Sequence, residues 1–528
     1  MRVLLIAPPY PLEENPAPPL GLCYVAAAFE AAGGDVRIID YIVQRYTPEK
    51  LQRELDDFEP DVVGTNSVTM NYYTATSILK TAKQHDPSII TMMGGPHVTF
   101  DYENTLKTFA EIDIIVIGEG EETIRELLPV VRDKKAWPSV KGLAFADNGH
   151  IIVTPTREFI HDLDALQPLP RHLLPLSRYL ALGFPASIIT SRGCPNRCIF
   201  CVGRRMVGQR VRYRNPSLIV DEIQDLLSYG FEQTNFADDF FTVNKERVKQ
   251  ICREINDRGL KFGWSIFARA DSVDNEILTT MREAGCHTVL FGIESGNQEI
   301  LNRINKHIKI ESIKRAVALC KETGMRVLGS FIVGLPGETR ETLMDSHRLA
   351  QELDILYGYH FLAPFPGTIV KENMSQYDLQ LLTEDWSRFD ANQAIVQTSH
   401  LTPEEINTFV EEYYNPKIRF HTEDLARRFK EGRCSEHEKL EVLGNRKLDV
   451  VFKLISGDII EDLTPFPSTN GHELRQLAES ISKIIDRELD LVEPAMAHVI
   501  KKGYLKKQES RGEIRWYWEH NNRSTHTP

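Results

Sequence analysis

The chain contains no apolar run approaching the ~20 residues that a membrane-spanning helix needs. Its N-terminus, MRVLLIAPPYP, has one basic residue and a short apolar stretch halted by Pro8-Pro9, too short for a signal peptide. A cytoplasmic protein without a membrane span is therefore expected. Positive charge is in deficit: 62 Lys and Arg against 75 Asp and Glu leave a formal net charge of −13, so no nucleic-acid partner is expected. Cysteine is sparse, eight in 528 residues, and Cys23, Cys252, Cys286, Cys320 and Cys434 stand singly inside apolar patterns. That is how small buried hydrophobes are distributed, not a secreted disulfide framework. No G-x-G-x-x-G follows the first apolar run, which excludes a standard dinucleotide site.

What is present is a long, ordinary globular composition, 42% apolar over a length that exceeds a single core. Residues 1–140 read as a doubly wound α/β domain. Apolar runs at 3–7, 36–40, 62–66, 89–94 and 112–117 alternate with helix-period stretches, the pattern of a parallel sheet covered on both faces. Ligands of such a sheet sit beyond its C-terminal strand ends. Those ends carry Pro8-Pro9-Tyr10, Asn66-Ser67-Val68-Thr69, Gly94-Gly95-Pro96-His97 and Gly118-Glu119-Gly120-Glu121. Small and polar residues gathered on one edge suit a backbone that approaches a large ligand closely.

Residues 141–185 read as a hairpin around Asn148-Gly149 followed by a proline-rich linker. Residues 186–390 hold a second series, six strand–helix units with strands near 187–190, 234–237, 263–267, 288–293, 327–333 and 359–362. This predicts a partial (β/α)6 barrel with its chemistry at the C-terminal strand ends. Residues 391–528 are mostly helical; 495–519 suggest a helix and a small β-wing, read as a cap on the barrel in preference to a nucleic-acid module, before a frayed tail.

Just after the first barrel strand, TSRGCPNRCIFCVG places Cys194, Cys198 and Cys201 in the spacing C-x3-C-x2-C. A structural zinc site needs four ligands, and neither a second cysteine pair nor a nearby histidine supplies the fourth. A [4Fe–4S] cluster can hang on three thiolates and leave one iron open for a ligand. Behind it, RRMVGQRVRYRN offers guanidinium forks suited to carboxylate or phosphate, making Arg204, Arg205 and Arg212 substrate candidates.

This cysteine spacing, with Phe200 before the last cysteine and a barrel around it, resembles the radical S-adenosylmethionine (SAM) enzymes. The resemblance implies that the open iron binds SAM and that an electron from the cluster cleaves it to a 5′-deoxyadenosyl radical. It also implies a SAM site: Phe200 at the adenine, Asp238 and Asp239 at the amino group, and Arg269 at the carboxylate. Glu294 and Ser295 would meet the ribose, with Val333, Gly334 and Pro336 on the adenine side. The first domain, with PLGLCYVAAAFEAAG, GGPHVTF and VIGEGEETIREL, is similar to the cobalamin-binding domain of B12-dependent members of that family, the group of radical SAM methyltransferases and anaerobic Mg-protoporphyrin monomethyl ester cyclase-like enzymes. Cobalamin would then lie against the four strand-end loops. D-x-H-x-x-G, the motif carrying the cobalt-ligating histidine, is absent, so His97 is expected to pack beside the corrin without ligating.

The resemblance implies C-methylation of an unactivated carbon in a small-molecule substrate, fed electrons by flavodoxin or ferredoxin. Oxidative cyclisation or ring rearrangement is the alternative within the family, and a non-catalytic metal-binding regulatory module is the alternative outside it. Methylthio transfer is excluded because the first domain has only Cys23 where a second cluster would need three cysteines.

Overall fold

The computed structural model describes residues 1–468 and 471–521; most of the tail expected to fray, 522–528, lies outside them. Five parallel strands open the chain: β1 (Arg2–Ala7), β2 (Asp35–Asp40), β3 (Val62–Asn66), β4 (Ile90–Gly94) and β5 (Ile114–Val116). They are apolar on both faces because both faces are covered. Leu5 and Phe29 belong to one core, while Leu4, Ile6 and Leu79 belong to a second core behind the sheet. The hairpin β6 (Leu143–Asp147) and β7 (His150–Val153) does not stand apart. It pairs antiparallel with β5 and extends the sheet to the order β2-β1-β3-β4-β5-β6-β7. Strand order reverses at β1, so the crevice for a ligand opens at the C-terminal ends of β1 and β3.

The second sheet begins with β8 (Ala186–Ile188). A short antiparallel pair, β9 (Ser191–Arg192) with β10 (Arg212–Tyr213), closes the base of the cysteine loop. The remaining strands are β11 (Gln233–Phe236), β12 (Gly263–Ala268), β13 (Cys286–Glu294), β14 (Arg326–Val333) and β15 (Leu356–Phe361). All run parallel with β8, in the order β15-β14-β13-β12-β11-β8, an open barrel of six strands. β8 stops two residues before its expected end because Asp238 captures the Thr190 amide at 2.6 Å, diverting it from the ladder.

Helices dominate after the barrel, and the wing is a three-stranded sheet: Phe466–Pro467, Leu505–Ser510 and Glu513–Trp518. The C-terminal part has two seats: helix Pro403–Tyr413 packs on the barrel, with Phe409 5.4 Å from Tyr359 and Tyr413 5.0 Å from His347, while the segment around Asp458 and the wing meet the first domain and the linker. A buried polar lock makes the join. Asp458, 1% exposed, accepts from the Arg45 amide at 3.1 and 3.2 Å and pairs with Lys50. Arg178 on the linker helix Leu176–Leu182 donates to Val43 O at 3.0 Å, pairs with Glu461 and lies over Trp518 at 5.7 Å. Tyr179 beside it donates to Asp40 at 2.8 Å, and burial pushes the Asp40 carboxyl up to about 6. Among the described residues no helix is long and apolar enough to cross a membrane.

Removing one partner of such a lock strands the buried charges left behind. Asp458→Ala is expected to cost about 3 kcal/mol or more in urea unfolding, and to make limited proteolysis cut between the barrel and the C-terminal helices; a variant as stable and resistant as the parent would contradict the lock.

Candidate functional site

The two sheets face each other by their C-terminal edges, and a cavity of about 280 Å³ lies between them. Its floor is apolar: Leu5, Phe29, Met92, Val116 and Ile124 reach in from the first domain. Gly64 keeps the floor open, since a Cβ there would sit 2.8 Å from Leu5 Cδ2. Ile189, Ser191, Arg192, Ala237 and Asp239 of the barrel form the opposite wall. A mid-strand glycine is the sequence signal for this floor; the strand-end loops alone did not reveal it.

Of the residues expected around cobalamin, Asn66, Gly94, Gly95, Pro96, Gly118, Glu119, Gly120 and Glu121 line the cavity. Pro9, Tyr10, Ser67, Val68, Thr69 and His97 are not part of its wall. Gly95 explains the break: with φ +102°, it lets the chain turn so tightly that a Cβ would lie 2.6 Å from Ser67 O. The turn sends His97 away from the cavity. It is 1% exposed, its ring 4.1 Å from Tyr72 and 5.0 Å from Trp386, with Thr69 Oγ1 3.2 Å from Nδ1. His97 is a core residue, and the expectation that it packs beside the corrin is corrected.

Four buried charges hold the two sides of the cavity together. Arg192 donates to Glu119 at 3.1 Å and to Glu121 at 2.6 Å. Arg212, paired with Arg192 across β9 and β10, forks onto both Glu119 oxygens at 2.9 Å and also reaches Val207 O and Ile160 O. Burial alone would raise the Glu119 carboxyl, but Arg212 and Arg192 hold it below its usual range. Of the expected anion-binding arginines only Arg212 is buried; Arg205 is exposed and Arg204 partly so. Arg212 clamps the first domain, Arg204 donates to Pro195 O at 2.7 Å, and Arg205 to Gly367 O at 2.9 Å and Glu372 at 2.6 Å. All three have protein partners, Arg212 in a buried clamp and Arg204 and Arg205 at the surface.

The cysteine loop is shaped by its neighbours. Gly193, φ +117°, passes so close to Arg210 O that a Cβ would lie 2.4 Å away. Cys194 N donates to Gly208 O at 3.0 Å, and Ile199, fully buried, donates to Ile304 O at 3.1 Å. Asn196 Nδ2 and Gly203 N donate to the Cys194 and Cys201 sulfurs, each at 3.3 Å. All three cysteines are free thiols, and burial pushes the Cys201 thiol up to about 11 and the Cys198 thiol upward. Among the described residues no group of three His, Cys, Asp or Glu is placed to hold a metal ion. Three thiols on one loop, with amide donors at two of the sulfurs, fit a polynuclear cluster in which each thiolate takes a different iron.

The expected SAM residues divide. Asp239 lines the cavity, close to Cys201 and Gly203, and has no salt-bridge partner among the described residues; burial and the neighbouring Asp238 raise its carboxyl. Asp238, 2% exposed, instead accepts from Thr190 N, Thr190 Oγ1 and Ser191 Oγ at 2.5–2.6 Å and fixes the end of β8. Arg269 forks onto Asp271 at 2.9 and 3.1 Å, and Glu294 pairs with Lys306 at 2.7 Å. Ser295 is fully buried and accepts from Asn297 N at 3.2 Å. Val333, Gly334 and Pro336 are buried around Glu338, while Phe200 is half-buried against the core.

Residues 14–128 match the B12 binding domain and residues 188–350 the radical SAM superfamily. An uncharacterized methyltransferase of Pyrococcus horikoshii is 35% identical over 432 residues, 79% of this chain and 94% of the relative. The chain belongs to the B12-dependent radical SAM enzymes. A further relative of this family, the anaerobic magnesium-protoporphyrin IX monomethyl ester cyclase of Cereibacter sphaeroides, is 31% identical over 76% of this chain and 68% of its own length. Among solved structures, OxsB with aqua-cobalamin and S-adenosylmethionine bound aligns at TM-score 0.69 and 18% identity, over 95% of this chain and 79% of that one. TsrM from Kitasatospora setae, with cobalamin and a [4Fe–4S] cluster bound, aligns at 0.66 and 22%, over 73% and 81%. The B12 binding and radical SAM matches over residues 14–128 and 188–350 make cobalamin, a [4Fe–4S] cluster and SAM the cofactors of this B12-dependent radical SAM enzyme.

Two measurements on the cofactor-free chain test this geometry. Glu119→Ala leaves two buried guanidinium groups facing each other and is expected to cost roughly 3–5 kcal/mol in urea unfolding. Glu338, fully buried, accepts from Gly334 N at 2.7 Å and Leu335 N at 2.9 Å, and burial raises its carboxyl from 4.5 to about 8. The folded state therefore holds this proton more tightly. The resulting stability is complete below pH 4.5 and is lost by about pH 8, with a slope of roughly 1.4 kcal/mol per pH unit between. Glu338→Gln should melt above the parent at pH 8, with the gap closing toward pH 5; a gap independent of pH would contradict the assignment.

Proposed function

We propose that this enzyme transfers a methyl group to an unactivated carbon of a small molecule. The observation that carries the reading is a cavity shared by the two domains, walled on one side by the strand-end loops of the first domain and on the other by Asp239 and β9 next to the cysteine loop. We assign residues 1–140 together with the β6–β7 hairpin to cobalamin, the rest of 141–185 to the linker, 186–390 to the cluster and SAM, and 391–528 to the C-terminal part.

When bound, the cluster supplies the electron that cleaves SAM to a 5′-deoxyadenosyl radical, and cobalamin carries the methyl group. The chain's own residues orient and shield. Cys194, Cys198 and Cys201 hold the cluster. Asp239, the cavity carboxylate with no ion pair among the described residues, is suited to the SAM amino group. The clamp of Arg192 and Arg212 on Glu119 and Glu121 closes the wall against water. The apolar floor of Leu5, Phe29, Met92, Val116 and Ile124 would give cobalamin a dry seat. Methylating relatives support the reading, among them a hopanoid C-3 methylase of Methylococcus capsulatus, 25% identical over 81% of this chain. The 31% identity to a cyclase favours ring closure as the second reading. The reducing partner is a low-potential one-electron carrier, flavodoxin or ferredoxin, and the protein works in the cytoplasm, where an open cluster survives.

Anaerobic reconstitution with iron, sulfide and cobalamin, followed by SAM and a strong reductant, tests this. Both 5′-deoxyadenosine and S-adenosylhomocysteine are expected by mass spectrometry, and Cys198→Ala should lose the former. 5′-Deoxyadenosine without S-adenosylhomocysteine favours the cyclase. No SAM cleavage by an intact, reducible cluster overturns both.

A further inference from the structure

Residues 191–220 carry seven arginines and no Asp or Glu, in a chain whose formal net charge is −13. Three of the seven meet buried carboxylates. Arg192 and Arg212 pair with Glu119 and Glu121, and Arg214 pairs with Glu222 at 2.5 Å. The other four, Arg197, Arg204, Arg205 and Arg210, are exposed or partly exposed. They belong to the segment that carries the three cysteines.

Each of the four is tied to the cysteine loop. Arg197 stands in it, between Cys194 and Cys198. Arg204 donates to Pro195 O at 2.7 Å and to Gln209, both neutral acceptors. Arg210 is held by its backbone, since its carbonyl oxygen is the atom packed on Gly193, the residue before Cys194. Arg205 is neutralised by Glu372 at 2.6 Å. Arg197 and Arg210 have no ion pair among the described residues, so with Arg204 three positive charges stand uncompensated on this face. An exposed ring adjoins them. Phe159, 38% exposed, lies against Gly208, where a Cβ would sit 3.1 Å from the ring. Gly208 O in turn accepts from Cys194 N at 3.0 Å. Glu158, next to Phe159 in sequence, faces His161 at 4.0 Å.

We propose that this face of the cysteine loop is the docking surface for the electron donor, an acidic one-electron carrier protein, with Arg197 and Arg210 meeting its carboxylates beside Phe159. The inference rests on the cluster assignment above. The reduced carrier gives one electron to the cluster held by Cys194, Cys198 and Cys201 and is itself oxidised by one; no bond forms or breaks. Arginine and exposed aromatic residues are the side chains enriched where proteins meet, and small, weak interfaces are usual for redox encounters. A site for a small anion would converge its guanidinium forks on one point. Here Arg204 and Arg205 are engaged by the chain's own oxygens, and Arg197 and Arg210 remain as separate charges. The net charge of −13 repels an acidic carrier over the rest of the surface, so a local positive face also decides where the carrier lands.

The test is anaerobic stopped-flow absorbance on the full chain reconstituted with iron and sulfide, without SAM or substrate. The cluster is photoreduced and mixed with oxidised flavodoxin, an acidic carrier, and the flavin semiquinone is followed; the docked complex is the same in both directions of transfer. A neutral benzoquinone serves as the small acceptor. Arg197→Gln combined with Arg210→Gln is expected to slow transfer to flavodoxin about tenfold at low ionic strength, with the gap closing as salt rises. Transfer to the quinone should keep the parent rate, and so should Lys261→Gln with flavodoxin, since Lys261 precedes β12 at the opposite end of the barrel strands. A double variant at the parent rate overturns the proposal. So does an equal loss with the quinone, or an equal loss in Lys261→Gln. A double variant that keeps the flavodoxin rate but no longer binds inorganic phosphate makes the arginines a small-anion site and overturns it as well. If Arg197→Gln takes up no iron, Arg210→Gln alone decides: transfer about threefold slower supports the surface, and the parent rate removes it. A parent chain that binds no cluster removes the underlying assignment, whereas a parent whose cluster reduces the quinone but not flavodoxin removes this proposal alone.

Discussion

Two sheets that share no strand meet across four buried charges, Arg192 and Arg212 against Glu119 and Glu121. Ion pairs of this kind contribute little net stability, because desolvation offsets most of their attraction, but they are costly to break. That asymmetry suits a clamp: it fixes orientation without depending on a large apolar interface. Arginine is the residue for it, since its planar fork meets both oxygens of Glu119 at 2.9 Å. Arg192 and Arg212 also pair across β9 and β10, so the same strands that hold the clamp close the cysteine loop. Cavity and loop are therefore set by one construction.

Around that clamp, charge is arranged in layers. Asp238 and Arg247 fix the end of β8, with Arg247 Nη2 2.5 Å from Thr190 O. The Lys306–Glu294 pair fixes the end of β13, and the Asp458–Lys50–Arg178 lock joins the first domain and linker to the C-terminal helices. Asp238, Arg247 and Asp458 join segments 48, 57 and 413 residues apart in sequence. Asp239 alone among the cavity carboxylates has no ion pair among the described residues, and that leaves it available to a ligand.

Much of the fold was legible because it is written in local periodicity. Apolar runs separated by helical stretches announce two parallel sheets, and the Asn148-Gly149 turn announces a hairpin. What periodicity does not encode is which edge a hairpin joins or which surface a C-terminal helix covers. The β6–β7 hairpin joined β5, helix Pro403–Tyr413 settled on the barrel, and the segment around Asp458 settled on the first domain through its contact to Arg45, 413 residues apart in sequence.

The site divides along the same line. Cys194, Cys198 and Cys201 were readable because three ligands within eight positions form a pattern by themselves, and so were the glycine-rich strand ends that became a cavity wall. Arg204, Arg205 and Arg212 read alike, because a basic run looks the same in sequence whether its guanidinium groups face solvent or a carboxylate. Arg212 finds Glu119 across 93 residues, and the tight turn at Gly95 carries His97 out of the wall into the core beside Trp386. Sequence alone determined the family chemistry, since spacing fixes which donors can share one loop. The partner of each charge was decided only by the tertiary structure, because burial and pairing are properties of segments that meet after folding.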